Sequence, residues 1–138
     1  MTRVLDACGV LAYYRDEPGA EEVAALIEDP SEELVIHAVN ACEVYYIIRR
    51  ERLQQGVAEA VEDELFEDLR ADGIHVDERL SPEFLARVGR MKTDARIPFA
   101  DCFCAALAES LGAAVLTTDR NHFQAVADAG ICEVQFIR

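Results

Sequence analysis

The chain has no long apolar run. None of its 138 residues belongs to a stretch approaching the ~20 consecutive apolar residues a bilayer-crossing helix needs, so no membrane span is expected. The start, MTRVLDACGVLAYY, carries a short apolar stretch without a small-residue cleavage site, and it is expected to be a mature N-terminus rather than a signal peptide. Positive charge is scarce. Lys and Arg number 13 against 27 Asp and Glu, a formal net charge of −14, which disfavours nonspecific nucleic-acid binding through a broadly basic surface. Paired cysteines are missing too. Five cysteines, an odd count with no C-x-x-C pair, argue against a closed disulfide framework. Four of the five lie in apolar runs, so the expectation is reduced thiols serving as small core hydrophobes in a cytoplasmic protein. Cys102 and Cys104 make a poor zinc pair, because that spacing on a helix points the two thiolates apart. Internal repeats, low-complexity tracts and linkers are absent as well.

What is present is a core and an alternation. Apolar residues make up 51 % of the chain, and the length suits one domain spanning residues 1–138. Short β-rich segments at 2–6, 33–38, 74–78, 113–119 and 132–137 alternate with helical patterns. Helices are expected from Cys8 onward, over 19–29, over 40–56 with Gly56 as the stop, over 57–73, over 81–91, over 98–112 and over 121–130. In the fourth of these Val57, Val61, Leu65 and Leu69 recur at every fourth position. Ser81 followed by Pro82 is a cap and a first helical residue, and Gly112 is a helix stop. Strands alternating with helices of this length predict an α/β fold with a parallel sheet covered on both faces.

One stretch does not fit a plain core helix. IPFADCFCAALA (residues 97–108) carries a single charge, Asp101. A bare carboxylate among apolar groups costs several kcal/mol unless a proton, a cation or a metal accompanies it. Parallel sheets build sites at the carboxyl ends of their strands. There the chain places Asp6 after the first strand, Asn40 and then Glu43 on the first helical turn after the second, and Asp119 after the fourth. Asp101 opens the helix that feeds the fourth strand, reached through KTDARIPFAD, read as a loop. Each acid also has a structural reading. Asp6 is placed to cap a helix, Asp119 or Asn121 to cap another, Asn40-x-x-Glu43 has capping-box spacing, and Asp101 suits a helix dipole worth at most ~1 kcal/mol. A term of that size does not offset the repulsion and desolvation of four gathered carboxylates, whereas a divalent cation does. An all-oxygen set suits Mg²⁺ or Mn²⁺ rather than zinc.

VLDACGVLAYY, NACEVYY and IPFADCFCAALAESLGAAVLTTDRNHF, in a chain of this length, resemble the PIN-domain nucleases, most closely the VapC-type ribonuclease toxins of toxin–antitoxin pairs. The last segment is the most specific, because it joins the helix acid, the small-residue helix, the strand and the T-x-D turn. The resemblance spans essentially the whole chain. It implies a three-layer α/β/α sandwich around a five-stranded parallel sheet, and Mg²⁺- or Mn²⁺-dependent RNA cleavage leaving a 5′-phosphate and a 3′-hydroxyl. The acidic tetrad of the family falls on Asp6, Glu43, Asp101 and Asp119, the expected catalytic and metal-holding residues, with Asp6 and Asp101 sharing an ion. Thr117 and Asn121 are supporting candidates. Cys8 stands where many relatives have Ser or Thr, and Asn121 and His122 stand where a further Asp is common. His37, His75 and His122 are expected to be structural.

Arg49, Arg50, Lys92 and Arg96 are candidate contacts to RNA or to a partner, with Arg52 beside them on the third helix. An antitoxin partner and a homodimer are expected, the latter from apolar VYYII and from Tyr13 and Tyr14. Two rival readings remain. A PIN-like fold kept as a binding module is signalled by loss of tetrad acids, and all four are here. Other carboxylate and Mg²⁺ enzymes fit less well: a dehalogenase-type phosphatase wants D-x-D after the first strand, where this chain has Asp6-Ala7-Cys8, and a receiver wants an early acidic pair and a late Lys.

Overall fold

A computed structural model describes residues 1–57 and 61–138, with residues 61–63 described by backbone alone. Its elements follow in the order β1 (Thr2–Leu5), α1 (Ala7–Tyr14), α2 (Ala20–Glu28), β2 (Glu33–His37), α3 (Ala38–Gln54), α4 (Val61–Ala71), β3 (Ile74–Asp77), α5 (Pro82–Ala95), α6 (Phe99–Leu111), β4 (Ala114–Thr117), α7 (Arg120–Asp128) and β5 (Val134–Phe136). All five strands pair in parallel in the order β3-β2-β1-β4-β5. The chain winds outward from β1 through β2 to β3, then returns to the other side of β1 for β4 and β5. The direction reverses between β1 and β4.

Strand side chains alternate between the two faces. Val4, Val35 and Val115, in register across β1, β2 and β4, pack with α5, α6 and α7 through Phe84, Val88, Met91, Leu107, Phe123 and Val126. Leu5, Ile36 and Leu116, each one residue further on, pack with α1 to α4 through Val10, Leu11, Val23, Val44, Leu65 and Leu69. This is the expected three-layer α/β/α sandwich. Both faces are covered, which is why the strands read as short continuous apolar runs rather than alternating ones. Among the described residues no helix is long and apolar enough to cross a membrane.

α6 lies deepest. Every residue from Asp101 to Ala108 is buried, and its Ala and Cys side chains are small enough for the helix to sit close against the sheet. Gly112 ends it at φ 61, a left-handed conformation that costs Gly little. Ser81 caps α5 by accepting from the Phe84 amide at 3.2 Å, and Pro82 takes the first turn, as the sequence predicts. Cys102 and Cys104 are buried, and all five thiols are free.

Several boundaries differ from the sequence reading. α3 starts at Ala38, with His37 accepting from the Val39 amide at 3.0 Å as its cap. Asn40 is therefore not a cap residue, Glu43 falls in the second turn, and the capping-box reading fails. The histidine takes the role because its ring is fully buried, bonded through Nε2 to the Arg79 carbonyl at 3.0 Å and stacked on Phe84. α5 continues to Ala95, so most of the expected loop before Asp101 is helical. The chain turns at Arg96, which takes φ 57. Val57 is 54 % exposed and precedes α4 instead of opening it. The expected first turn at 58–60 and the Val61 side chain lie outside the described residues. The apolar surface expected from VYYII is also smaller than its composition suggests. Val44 is buried, and of those five residues only Tyr46 is classed as exposed. Tyr13 and Tyr14 pack against the core, with the Tyr14 hydroxyl donating to Asp72.

The core at the reversal of the sheet should be the least tolerant part of the molecule. Leu116→Ala removes a fully buried side chain and should lower the free energy of unfolding by ~2–5 kcal/mol. Leu53→Ala, on the exposed face of α3, should stay within ~0.5 kcal/mol of the parent. Urea titrations of both variants make the comparison, and equal midpoints would contradict this assignment of the core.

Candidate metal centre

The two strands at the reversal are each followed by an acid. Asp6 follows β1 and caps α1, its Oδ1 accepting from the Gly9 amide at 2.8 Å. Its Oδ2 accepts from the Thr117 hydroxyl at 2.7 Å. The fully buried Thr117 closes β4 and in turn accepts from the Asp119 amide at 2.9 Å. One hydroxyl thus ties the acid after β1 to the backbone of the acid after β4. The close approach needs Gly9: a Cβ there would meet Leu5 Cδ2 at 3.0 Å, the Leu116 carbonyl at 3.1 Å and Asp6 Oδ1 at 3.3 Å.

Asp119 caps α7 through the His122 amide, 3.1 Å from its Oδ1. Its other oxygen lies 2.7 Å from His122 Nδ1. The same nitrogen stands 3.2 Å from Asp101 Oδ2. Asp101 is the third residue of α6 and only 8 % exposed. Glu43 approaches from α3. Asn40, one turn before it and fully buried, donates to the Ala100 carbonyl at 3.0 Å, fastening α3 to the first turn of α6 beside Asp101. Asn40 also hydrogen-bonds the Glu43 carboxylate. Two atoms here are sealed from water without a hydrogen-bond partner, Glu43 Oε1 and Asn40 Oδ1.

The electrostatics follow from this crowding. Burial chiefly, with the charges of Asp101 and Asp119 added, pushes Asp6 up to about 7, although its bonds to Thr117 and Gly9 pull the other way. Burial, then the charge of Glu43, raises Asp101 to about 6, with His122 opposing and Asp119 adding. Glu43 is raised by burial, against its bond to Asn40. All four acids act on Cys8, whose thiol is driven up to about 12, chiefly by burial.

The structure therefore brings Asp6, Glu43, Asp101, Asp119 and Thr117 to one edge of the sheet. Among the described residues, Asp101, Asp119 and His122 form the one group whose ligand atoms all lie within 4.8 Å of one another. Asp6 stands outside that group with both oxygens hydrogen-bonded, and the partner that reaches the Asp101 carboxylate is His122, at 3.2 Å. Carboxylate oxygens keep a second lone pair, and these bonds leave Asp6 with capacity for a cation. The donor set of carboxylates, with Glu43 Oε1 lacking any other partner, fits a divalent ion. Asn121 lines an open cleft with Cys8, Asp119 and Arg138.

The basic candidates lie apart from the carboxylates. Arg50 donates to the Tyr46 hydroxyl at 2.8 Å and lies over the Tyr46 ring. Arg49 is exposed, and Arg52 pairs with Glu64. Lys92 donates to the Ile97 carbonyl at 2.7 Å, fixing the turn before α6, and Arg96 is exposed beside it. The residue that sequence reasoning undervalued is His122. Its signal was spacing: a residue three places after an N-cap returns over the cap.

The chain matches the PIN domain family over residues 3–129. No curated protein sequence matches it. Among solved structures it is similar to VapBC-1 from nontypeable Haemophilus influenzae (TM-score 0.68, 20 % identity, covering 99 % of this chain and 98 % of that one). It is similar also to VapBC2 from Rickettsia felis bound to a promoter DNA fragment (TM-score 0.71, 14 % identity, 100 % of each chain), and to FitAcB from Neisseria gonorrhoeae (TM-score 0.58, 21 % identity, 96 % and 95 %).

The raised carboxylates make stability depend on pH with a definite sign. Between an unfolded value of ~4 and folded values of about 6 and about 7, the folded, metal-free protein holds more protons than the unfolded chain. This part of its stability is therefore full below ~4 and lost as pH rises through about 6 and 7. In chelator, the urea midpoint should fall between pH 5 and pH 8, and the Asp6→Asn, Asp101→Asn double variant should fall less. Parallel pH profiles would rule out this origin.

Proposed function

This chain belongs to the PIN domain family, and from that premise we propose that it is a Mg²⁺- or Mn²⁺-dependent endoribonuclease, the toxin of a toxin–antitoxin pair. The observation that carries the reading is the convergence of Asp6, Glu43, Asp101 and Asp119 at the sheet reversal, two of them pushed well above the ordinary carboxylate range. A binding module has no need to keep four carboxylates there at the cost of burying them. Together they would hold the ion, which when bound supplies Lewis-acid polarisation of a phosphate and a more acidic water.

The remaining work falls to the chain. The Thr117 hydroxyl and the Gly9 amide fix both oxygens of Asp6, so that carboxylate cannot rotate away. Asp119 is held by the first turn of α7. Glu43 Oε1, buried and without a competing hydrogen bond, keeps its lone pairs free to hold the ion from the α3 side. Exposed Arg96, on the turn that leads into α6, suits an RNA phosphate, while Lys92 holds the turn that presents it. Arg49 and Arg50 beside Tyr46 suit a partner protein.

The partner reading rests on the VapBC and FitAB neighbours, whose names are those of toxin–antitoxin assemblies. An antitoxin would silence this enzyme by inserting Lys or Arg into the negative ring. A homodimer through the exposed Tyr46 and a cytoplasmic location complete the reading.

Single-stranded RNA should be cut only with Mg²⁺ or Mn²⁺ present, and Asp101→Asn should lower the rate by more than ~100-fold, beyond the usual effect of a merely supporting residue. The variant should fold, and in chelator it should be as stable as the parent or more so. Parent-like cleavage by the Asn variant would refute the assignment.

A further inference from the structure

Resting on the reading that the carboxylate cluster holds a divalent cation, we propose that His122 is one of its ligands and makes this a mixed nitrogen–oxygen site that takes a first-row transition ion, such as Mn²⁺, in preference to Mg²⁺. An acids-only site gives no such preference.

The geometry is that of a ligand face already assembled. Around an octahedral ion with ligands at roughly 2.1 Å, adjacent ligand atoms are separated by √2 times that length, or roughly 3.0 Å. His122 Nδ1 lies 2.7 Å from Asp119 Oδ2 and 3.2 Å from Asp101 Oδ2, and the three atoms fall within 4.8 Å of one another. The local structure explains why the ring is there. The Asp119 cap spends Oδ1 on the His122 amide, so Oδ2 is left facing the imidazole of the same residue. Asp101, carried on the first turn of α6, supplies the third atom.

A second observation is independent of the triad. Glu43 Oε1 and the fully buried Asn40 Oδ1 have no hydrogen-bond partner. Asn40 is anchored to the Ala100 carbonyl, immediately before Asp101. Buried polar atoms left unsatisfied call for a further group, and an ion with its water shell is such a group. Imidazole nitrogen favours Mn²⁺ and its heavier neighbours, whereas Mg²⁺ prefers oxygen and retains its waters.

The alternative is that His122 is only a counter-ion to the two carboxylates. The two roles predict opposite responses. Removing a counter-ion strengthens binding of every divalent cation alike, whereas removing a nitrogen ligand weakens Mn²⁺ selectively. Mn²⁺ binding would be followed by electron paramagnetic resonance, and Mg²⁺ by competition against it, on the parent and on His122→Ala and His122→Asn. The side chain is 47 % exposed, so neither change disturbs the core, and circular dichroism would check the fold. In the parent, pulsed resonance should detect ¹⁴N coupled to bound Mn²⁺, and that coupling should vanish in both variants. Mn²⁺ affinity should fall by ~10-fold or more, with Mg²⁺ affinity unchanged or higher. Mn²⁺ bound without nitrogen coupling, or equal changes for the two ions, would overturn the role of His122 and leave the nuclease reading standing. Failure of the parent to bind either ion at millimolar concentration would overturn both.

Discussion

The carboxyl edge of the sheet is organised around carboxylates that folding has removed from water. Asp6 is 1 % exposed and Asp101 8 %, and burial raises the proton affinity of both, with the charges of Asp101 and Asp119 adding at Asp6 and those of Glu43 and Asp119 at Asp101. Desolvating an anion is among the costliest things a fold can do. The hydrogen bonds at this edge reduce that cost without abolishing it: Thr117 and Gly9 on Asp6, Asn40 on Glu43, the α7 amide on Asp119. The cost that remains is one that a positive charge set at this edge would relieve.

Topology is what concentrates the acids. Because the chain reverses between β1 and β4, the loops that leave these adjacent strands diverge to opposite faces of the sheet and open a crevice between them. Asp6 and Asp119 line it from the strand ends, while α3 and α6 bring Glu43 and Asp101 against it. The two apolar clusters on either face keep the strands in register, and a slip of one residue would send Leu5 and Leu116 to the wrong layer. Packing at Val4, Leu5, Val115 and Leu116 is thus a condition of the site geometry as well as of stability.

Much of this was legible in the sequence. Strand and helix alternation marked a doubly covered parallel sheet, and the acids stood out because charge is rare in apolar segments such as 97–108. The capping readings of Asp6 and Asp119 hold as well: each caps a helix and faces the crevice, since a residue after a strand and before a helix occupies both positions. Other features could not be read locally. The start of α3 depends on His37, whose capping role is fixed by burial beneath Phe84 and by the distant Arg79 carbonyl. The extent of α5 was hidden because Lys92 to Ala95 have no apolar periodicity, while Lys92 finds its partner across the turn at Ile97. The exposed share of VYYII depends on which flank of α3 meets α1 and α4, a tertiary fact. His122 was undervalued because a lone histidine shows no partner in one dimension; its partners are one helical turn back and 21 positions away in the chain, at Asp101.

The helix that carries Asp101 shows how function and packing are reconciled. Small side chains along α6 let it lie close against the sheet, and that closeness is what brings a carboxylate on its first turn up to the strand ends. Larger residues at Ala105 or Ala106, both fully buried, would lift the helix and carry Asp101 away from Asp119. The same tight packing removes the water that would otherwise solvate the acid. Proximity and desolvation thus share one cause, and a fold that brings these carboxylates together cannot avoid raising their proton affinity. What it can choose is the group set beside them. In this chain His122, half exposed and carried on the helix that Asp119 itself caps, supplies an imidazole nitrogen where a further acid would have deepened the repulsion.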